Sequence, residues 1–322
     1  MGLFSRILVA VDGSGPSKAA VQFALRLAAP ARHETVRFVS VFERDSLIGR
    51  CTSDVASGLA MDAVLDAAQA ECQAALDTSK EAARVAGVEA TFVMRTGLAV
   101  DAILDEAREW NASCIAVGTR GWKGIARAFF GSCAEGVLRR SPVPVLIGHA
   151  TSAYVGDPFE RILCAVDDSP AARRAFEGAV ALAVERDAEL HVLSVVQVAD
   201  MYAAAFELEG FDPDGSMSAI YAEAKAAVKA LGADAITHGA RVKPHVLGGS
   251  DVAERIVQCA TTSRCGVIVL GTHGRGGIRR TILGSTAEGV LRSTTIPVIA
   301  FRDPRTLEDA EDELGAEAFT AP

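Results

Sequence analysis

The chain has 322 residues, of which 50% are hydrophobic and 23% are charged, with a formal net charge of -9 at pH 7. This composition predicts a soluble, globular protein with two domains of ordinary size. The net charge argues against a general nucleic-acid binder, because such proteins need a surplus of lysine and arginine to displace counterions from phosphates. We therefore expect no nucleic-acid partner.

Cysteine content and hydropathy indicate the compartment. The seven cysteines are an odd number and include no C-x-x-C pair, which is typical of a reducing environment and predicts buried free thiols rather than a protein-held metal. No apolar run approaches the length of a membrane span, and Asp12 follows the N-terminal apolar run too closely for a signal-peptide core. We therefore expect a cytoplasmic protein with no membrane partner.

The predicted elements of the first half alternate short β-branched runs with longer amphipathic stretches, the pattern of β-α units around a parallel sheet. The strands are predicted at 5–12, 35–43, 89–95, 113–118 and 143–148, and the helices at 15–30, 60–86, 98–110 and 131–141. The stretch 44–60 carries Gly, Ser and Asp and is predicted to be a surface loop or lid.

The second half repeats this order. Its strands are predicted at 160–167, 189–197, 240–247, 265–271 and 296–301, and its helices at 169–186, 217–232, 251–263 and 284–293. The stretch 198–216 is predicted to be a second surface loop or lid. Each half therefore predicts a doubly wound α/β domain with five parallel strands.

The two halves also repeat each other in sequence. FSRILVAVDGSGPSKAAVQFALRLA at 4–28 aligns with FERILCAVDDSPAARRAFEGAVALA at 159–183, and GSCAEGVLRRSPVPVLI at 131–147 aligns with GSTAEGVLRSTTIPVIA at 284–300. A repeat of about 150 residues has the size of a domain and predicts two homologous domains in tandem. We predict domains at 1–150 and 158–303, followed by a solvated acidic tail at 304–322.

A glycine pattern follows the fourth predicted strand of each half. It reads Gly118-x-x-Gly121, nine residues and Gly131-Ser132 in the first half, and Gly271-x-x-Gly274, nine residues and Gly284-Ser285 in the second. A glycine at a strand end permits a positive φ and lets a ligand approach N–H groups, and free N–H groups at a helix N-terminus favour an anion. The pattern predicts a phosphate site in each half. The alternative is that both serines only cap their helices, since a glutamate three residues later completes a capping box.

An aspartate closes the first predicted strand of each half, Asp12 in one and Asp167 in the other. In open parallel sheets, ligands bind at the carboxyl ends of strands where the strand order reverses. If the first and fourth strands are neighbours, each carboxylate faces a glycine pattern and can accept hydrogen bonds from ribose hydroxyls. The alternative for each aspartate is a helix N-cap or a turn residue.

The strand ending in Asp, the spaced glycine motif and the closing A-E-G-V-L-R…P-V segment, each present twice, resemble the universal stress protein family in its tandem form. The resemblance covers residues 5–148 and 160–302. It implies an adenine nucleotide α-hydrolase-like fold with strand order 3-2-1-4-5 in each domain. It also implies binding of ATP or another adenine nucleotide, with Mg²⁺ bridging phosphate oxygens.

The resemblance assigns roles to particular residues. Asp12 and Asp167 would hold the ribose or adenine end, and Val41 and Val195 would present backbone groups to the adenine edge. The residues assigned to the phosphates are Gly118, Gly121, Gly131, Ser132, Gly271, Gly274, Gly284 and Ser285.

Two further expectations follow from the resemblance. The last strands of such domains pair, so 142–148 and 296–301 would form an internal pseudo-dimer, with a homodimer left open. The two glycine loops differ, since the first carries Arg120, Trp122 and Phe129-Phe130 where the second carries His273, Arg275 and Ile282-Leu283. We therefore expect unequal sites, the second being more typical of the family.

The leading functional hypothesis is a nucleotide-binding stress-response or regulatory module. Neither loop contains a Walker-type G-K-[ST] motif or a carboxylate before its capping glutamate, so efficient phosphoryl transfer is not expected. The alternatives are a slow ATPase or nucleotide hydrolase, and a scaffold that binds no nucleotide.

Overall fold

The computed structural model describes residues 4–28, 35–51, 58–119, 131–149, 156–197, 213–273 and 283–302. The chain divides into two units, Met1–Ala153 and Tyr154–Pro322. Several features of the sequence lie outside the described residues, namely Gly121, Gly274, the variable residues at 120–130 and 274–282, residues 198–212 of the second predicted loop and the acidic tail at 304–322.

The first unit contains one parallel sheet. Its strands are β1 (Arg6–Ala10), β2 (Thr35–Phe42), β3 (Ala90–Thr96), β4 (Cys114–Gly118) and β5 (Val145–Gly148). Its helices are α1 (Gly15–Leu27), α2 (Arg44–Cys51), α3 (Gly58–Ala86), α4 (Ala99–Glu109) and α5 (Ser132–Arg140). The strand order is β3-β2-β1-β4-β5. The order therefore reverses between β1 and β4.

The second unit has the same plan. Its strands are β6 (Arg161–Ala165), β7 (Glu189–Gln197), β8 (Arg241–Gly249), β9 (Val267–Gly271) and β10 (Val298–Phe301). Its described helices are α6 (Pro170–Arg186), α7 (Pro213–Thr237), α8 (Val252–Thr262) and α9 (Ser285–Ser293). The order β8-β7-β6-β9-β10 reverses between β6 and β9. Two doubly wound domains, each with strand order 3-2-1-4-5, are thereby confirmed.

The predicted loop at 44–60 is wrong in its first part, because α2 occupies Arg44–Cys51 and α3 begins at Gly58. The backbone N–H of Leu47 donates to the carbonyl of Glu43 (3.1 Å), which closes the first turn of α2. Asp45 lies in that first turn, where the positive end of the helix dipole favours a carboxylate. Asp and Ser indicate a loop in the sequence, but both are also favoured at the start of a helix.

The central strands β1, β4, β6 and β9 are short and buried, as expected of parallel strands covered on both faces. Two glycines let helices pack closely on this sheet. A Cβ built on Gly118 would lie 2.4 Å from backbone atoms of Pro16 and Ser17 in the first turn of α1. A Cβ on Gly271 would lie 2.7 Å from the backbone nitrogen of Ala172 in α6. The carboxyl ends of β4 and β9 therefore touch helix backbone directly.

We predict that Gly118→Ala lowers the free energy of unfolding by about 3 kcal/mol, because the new methyl group overlaps backbone atoms that have no rotamer to change. Urea denaturation at pH 7 measures the effect. Gly49→Ala is the matched control. A Cβ at Gly49 meets no atom within 4 Å, so alanine in α2 should raise stability by about 0.5 to 1 kcal/mol. Equal effects of the two substitutions would contradict the packing role.

A buried histidine makes the first domain sensitive to acid. His149 follows β5, is 3% exposed, and places Nδ1 3.3 Å from the hydroxyl of Thr119. Among the described residues, its Nε2 has no hydrogen-bond partner. Burial lowers the pKa of His149 from 6.5 to about 4. Below pH 6.5, His149 is therefore protonated in the unfolded chain but stays neutral in the folded one. The free energy of unfolding falls as the pH decreases, until the pH approaches 4.

We predict that His149→Leu removes about 2 kcal/mol from the loss of stability between pH 7 and pH 5. Urea denaturation of both proteins at the two pH values measures the difference. His191 and His245 also have pKa values lowered by burial, but they are present in both proteins and cancel in the comparison. The same pH dependence in both proteins would rule out the role of His149.

Candidate functional site

Asp12 lies at the switch point of the first domain, directly after β1. Its Oδ1 accepts a hydrogen bond from the backbone N–H of Ser14 (2.9 Å), and its own N–H donates to the hydroxyl of Ser17 (3.2 Å). The N-cap of α1 is Ser14. Asp12 is therefore a turn residue and not the cap, and its side chain is exposed.

Asp167 occupies the same place in the second domain. Its Oδ1 accepts from the backbone N–H (2.9 Å) and the hydroxyl (2.5 Å) of Ser169, which is the N-cap of α6. Within the described part of the chain, the hydrogen bonds of both aspartates use Oδ1. The turn thus orients each exposed carboxylate while Oδ2 can accept from a ligand, so the turn and ligand roles are compatible.

Val41 and Val195 point their backbone polar groups to the side of the sheet on which β1 and β6 lie. The carbonyl of Val41 also accepts from the thiol of Cys72 (3.6 Å). Successive residues of a strand point their N–H and C=O groups to opposite neighbours. The carbonyl of Val39 accepts from Val11 (2.8 Å) on the β1 side, so Val41, two residues later, points to the same side beyond the end of β1. The carbonyl of Leu193 accepts from Val166 (2.8 Å), which gives Val195 the same direction beyond β6.

The helices α5 and α9 begin with glycine caps. Gly131 and Gly284 are the N-cap residues, and neither helix has a side-chain hydrogen bond at its cap. The first intrahelical hydrogen bond of α5 runs from the N–H of Glu135 to the carbonyl of Gly131 (2.9 Å). In α9 it runs from the N–H of Glu288 to the carbonyl of Gly284 (2.9 Å). The amides of the first three residues of each helix precede this bond and have no intrahelical acceptor. Within the described residues, each helix therefore presents at its positive end amides that have neither an intrahelical acceptor nor a capping side chain.

The capping-box alternative is wrong for both helices. Ser132 and Ser285 are the first helical residues rather than the caps, and both are exposed. Glu135 forms an ion pair with Arg139 one turn later (2.6 Å) instead of reaching back. Glu288 pairs in the same way with Arg292. The glycine takes the cap position, so the serine stands one residue too late to bond the amide of the third helical residue.

The proposed conformational role of Gly118 and Gly271 also needs correction. Neither has a positive φ, so neither is needed for a left-handed turn. Each lacks a Cβ because the first turn of α1 or α6 occupies that space. Gly131 (φ -54°) and Gly284 (φ -62°) likewise have angles that any residue can adopt. Among the described glycines of this motif, Gly118 and Gly271 allow close packing against a helix. Gly131 and Gly284 leave their helices without a capping side chain.

Glu43 is a site residue that the sequence analysis missed. It follows β2, and its Oε1 accepts from the backbone N–H of Ala99 (3.0 Å) at the start of α4. This helix has Leu98 at its N-cap and no cap bond from that residue. Glu43 therefore caps α4 from another part of the chain. The only hint in the sequence is a carboxylate after a predicted strand, opposite a helix without a polar cap.

The charges of Asp12 and Glu43 both act on Cys133 at the start of α5. The pKa of Cys133, the second residue of α5, is raised to about 11, first by burial and then by the charges of Asp12 and Glu43. The second domain differs here, because Gln197, the last residue of β7, stands where Glu43 follows β2, and Thr286 replaces Cys133. Asp251 caps α8 by accepting from Glu254 (3.0 Å), so Gln197 is not needed as a cap. The second domain thus carries its capping carboxylate on Asp251, at the N-cap of α8, instead of on the residue equivalent to Glu43.

The described part of the chain contains free cysteines but no group of metal ligands. Six described cysteines are free thiols, and Cys114, Cys164, Cys259 and Cys265 are buried. Within the described ranges, no three His, Cys, Asp or Glu side chains are grouped to hold a metal ion. Among the helices that the structure describes, none is both long enough and apolar enough to be a membrane span.

Known proteins match both halves of the chain. The model of the universal stress protein family matches residues 3–149 and 158–302. A universal stress protein of Mycobacterium tuberculosis is 30% identical over 201 residues, which are 60% of this chain and 62% of the relative. One of Mycolicibacterium smegmatis is 26% identical over 305 residues, 92% of this chain and 96% of the relative. The chain thus spans 62% of the length of the first relative.

A solved structure has the same fold. The crystal structure of a universal stress protein from Archaeoglobus fulgidus matches 94% of this chain and 97% of its own, with a TM-score of 0.70 and 24% identity. At this identity the match supports the fold alone. Because the family model covers nearly all of both domains, the chain belongs to the universal stress protein family and carries two of its domains in tandem.

Proposed function

We propose that each domain binds an adenine nucleotide, ATP or a close relative, at its switch point, and that this binding serves a cytoplasmic stress-response or regulatory role. The observation that carries the proposal is the glycine-capped N-terminus of α5 and of α9. In the described residues, no capping side chain bonds the first amides of either helix, so these amides can donate to an anionic ligand. The same arrangement occurs in both domains, and each domain has an exposed aspartate after its first strand, Asp12 in one and Asp167 in the other.

The residues fit a nucleotide with its phosphates at the helix. In the first domain, Oδ2 of Asp12 accepts from ribose hydroxyls, Val41 offers backbone groups to the adenine edge, and the amides after Gly131 donate to phosphate. Ser132 adds an exposed hydroxyl. Asp167, Val195, Gly284 and Ser285 take these roles in the second domain, and the family motif adds Gly121 and Gly274. Mg²⁺ bound with ATP would be held mainly by phosphate oxygens.

The first glycine of each motif acts indirectly in this proposal. Gly118 and Gly271 bring the first turn of α1 or α6 against the strand end, which sets the position of the neighbouring aspartate. Each exposed contact between a phosphate and a helix terminus is worth about 0.3 to 1 kcal/mol. Affinity therefore comes from several contacts together and is modest.

The assembly and the boundaries are also proposals. We propose that β5 and β10, each the last strand of its own sheet, pair to form an internal pseudo-dimer, with a homodimer as a further assembly. We propose domains at 1–150 and 158–303 with an acidic tail at 304–322.

We predict that Gly284→Asp weakens ATP binding at the second site by about tenfold or more, because the new carboxylate occupies the free amides and repels phosphate. Its backbone angles suit any residue, and aspartate is a good N-cap, so unfolding free energy should change by only a few tenths of a kcal/mol. Isothermal titration calorimetry of the full chain measures binding.

Gly284→Asn is the matched control, since it caps the helix without a charge and should weaken binding less than aspartate. Unchanged ATP affinity in both variants would contradict a phosphate site at α9. A wild-type chain that binds no adenine nucleotide would favour the scaffold alternative instead, and phosphate release that depends on an intact motif would favour the slow ATPase.

The two sites should be unequal, because the capping carboxylate is Glu43, after β2, in the first domain and Asp251, at the N-cap of α8, in the second. We predict that Glu43→Gln tightens ATP binding at the first site by about fivefold. The amide oxygen of glutamine can still accept from Ala99, so stability should be nearly unchanged. Calorimetry in the Gly284→Asp background isolates the first site. Gln197→Glu is the reciprocal variant and should weaken the second site, and two equal sites in the wild type would refute the predicted difference.

A further inference from the structure

A groove of about 740 Å³ adjoins the proposed phosphate site of the second domain. It lies between α8 and α9 and reaches the carboxyl ends of β7 and β8, where Gln197 and Ser250 line it. Ser285, the first residue of α9, lines one end, and Ser293, the last, lines the other. These eight residue steps span about 12 Å of helix. The groove therefore starts where a phosphate would bind and continues along the helix.

One ion pair of the first domain has no counterpart among the residues that line the groove. In the first domain, Arg140 of α5 donates to Asp101 of α4 (2.6 Å) and bridges the two helices. The repeat aligns Ser293 with Arg140, and Glu254, like Asp101, is the third residue of its helix. A serine cannot span the distance that an arginine spans. The duplicated domains thus differ at the site that decides whether the helices are bridged.

A second replacement reduces the size of a side chain beside the groove. Val100 of the first domain covers Gly136, whose built Cβ would lie 2.6 Å from a valine methyl. Ala253 stands at the position of Val100 and faces Gly289, which lines the groove with it. The floor is therefore made of small side chains. Small residues on both helices give a flat apolar surface of the kind that a sugar ring can cover.

The polar lining suits hydroxyl groups. Gln197 can donate and accept, and the carboxylate of Glu254 can accept from two neighbouring hydroxyls. Gln258 offers its amide N–H groups, because its Oε1 accepts from Arg255 (2.7 Å), and Ser293 can accept, because its hydroxyl donates to the carbonyl of Gly289 (2.7 Å). The carboxylates of Asp251 and Glu254 would repel a second anionic group. The occupant that this lining favours is an uncharged polyhydroxylated group, attached to a phosphate that binds at the start of α9.

On this basis, and resting on the proposed nucleotide site, we propose that the second domain accepts nucleotides whose terminal phosphate carries a sugar or second ribosyl group. The first domain takes nucleotides without such a substituent, because the Arg140–Asp101 ion pair crosses between the two equivalent helices. The chain would then respond through one domain to an adenine nucleotide and through the other to a nucleotide conjugate.

The test is calorimetry of the full chain with ATP and with ADP-ribose as probes. The wild type should bind ADP-ribose at one site, with an affinity at least equal to that for ATP at the same site. Ser293→Arg should form an ion pair with Glu254 equivalent to the Arg140–Asp101 pair. The affinity for ADP-ribose should then fall by about tenfold, while the affinity for ATP should change by less than about twofold. Ser293 is exposed, so arginine can be accommodated, and retained ATP binding reports an intact fold.

Ser293→Ala is the size-matched control and should change ADP-ribose affinity by less than about threefold. Arg140→Ser is the reciprocal variant and should create a second site for ADP-ribose in the first domain. A chain that binds ATP but not ADP-ribose, or a Ser293→Arg variant that affects both probes equally or neither, would overturn this proposal. A chain that binds neither probe would overturn the proposed function on which it rests.

Discussion

The geometry of each domain depends on a backbone contact between the end of its fourth strand and the first turn of its first helix. At Gly118 and at Gly271 this contact is closer than any side chain allows. Because both partners are backbone, the contact has no rotamer freedom, and it fixes the turn between the first strand and the first helix. Asp12 and Asp167 lie in that turn. The aspartate and the neighbouring strand end are therefore held together before any ligand arrives, which reduces the ordering cost of binding.

The order of elements was predictable because the apolar period changes clearly between strands and helices. The strand expected at 189–197 is observed as Glu189–Gln197. The helix α2 was missed, because its Asp and Ser residues are equally typical of loops. The long-range parts of the site were also beyond local patterns. Glu43 caps a helix that begins 56 residues later, and a tertiary contact of this kind leaves no spacing motif to find.

The glycine motif shows how a correct site can be predicted for a partly wrong reason. Conformational freedom was the expected role of its glycines, yet the described ones have ordinary backbone angles. A lone sequence cannot distinguish a glycine needed for its φ from one needed for the absence of its Cβ, since both are met by the same residue. The serine caps failed for a similar reason, because a shift of one residue at a helix start changes which side chain reaches the free amides.

Duplication lets the two sites diverge while the frame stays constant. The glycines, aspartates and helix starts are kept in both domains, whereas Glu43 and Arg140 are replaced by the uncharged Gln197 and Ser293. Both replacements remove a charged group that ties α4 to its surroundings in the first domain. The second domain caps α8 with its own Asp251 instead. The N-terminus of α8 is thereby capped by its own N-cap residue, without a side chain from elsewhere in the chain. Gln197 and Ser293 are then available to line the groove.

The central claim is that main-chain amides at the start of α5 and α9 bind nucleotide phosphate. The most direct measurement is amide NMR of the ¹⁵N-labelled full chain titrated with ATP and Mg²⁺. The account predicts that the largest shift changes fall on the first-turn amides, Ser132 to Ala134 and Ser285 to Ala287, and that those of the second domain saturate first. Saturable ATP binding that leaves these amides unshifted would contradict it.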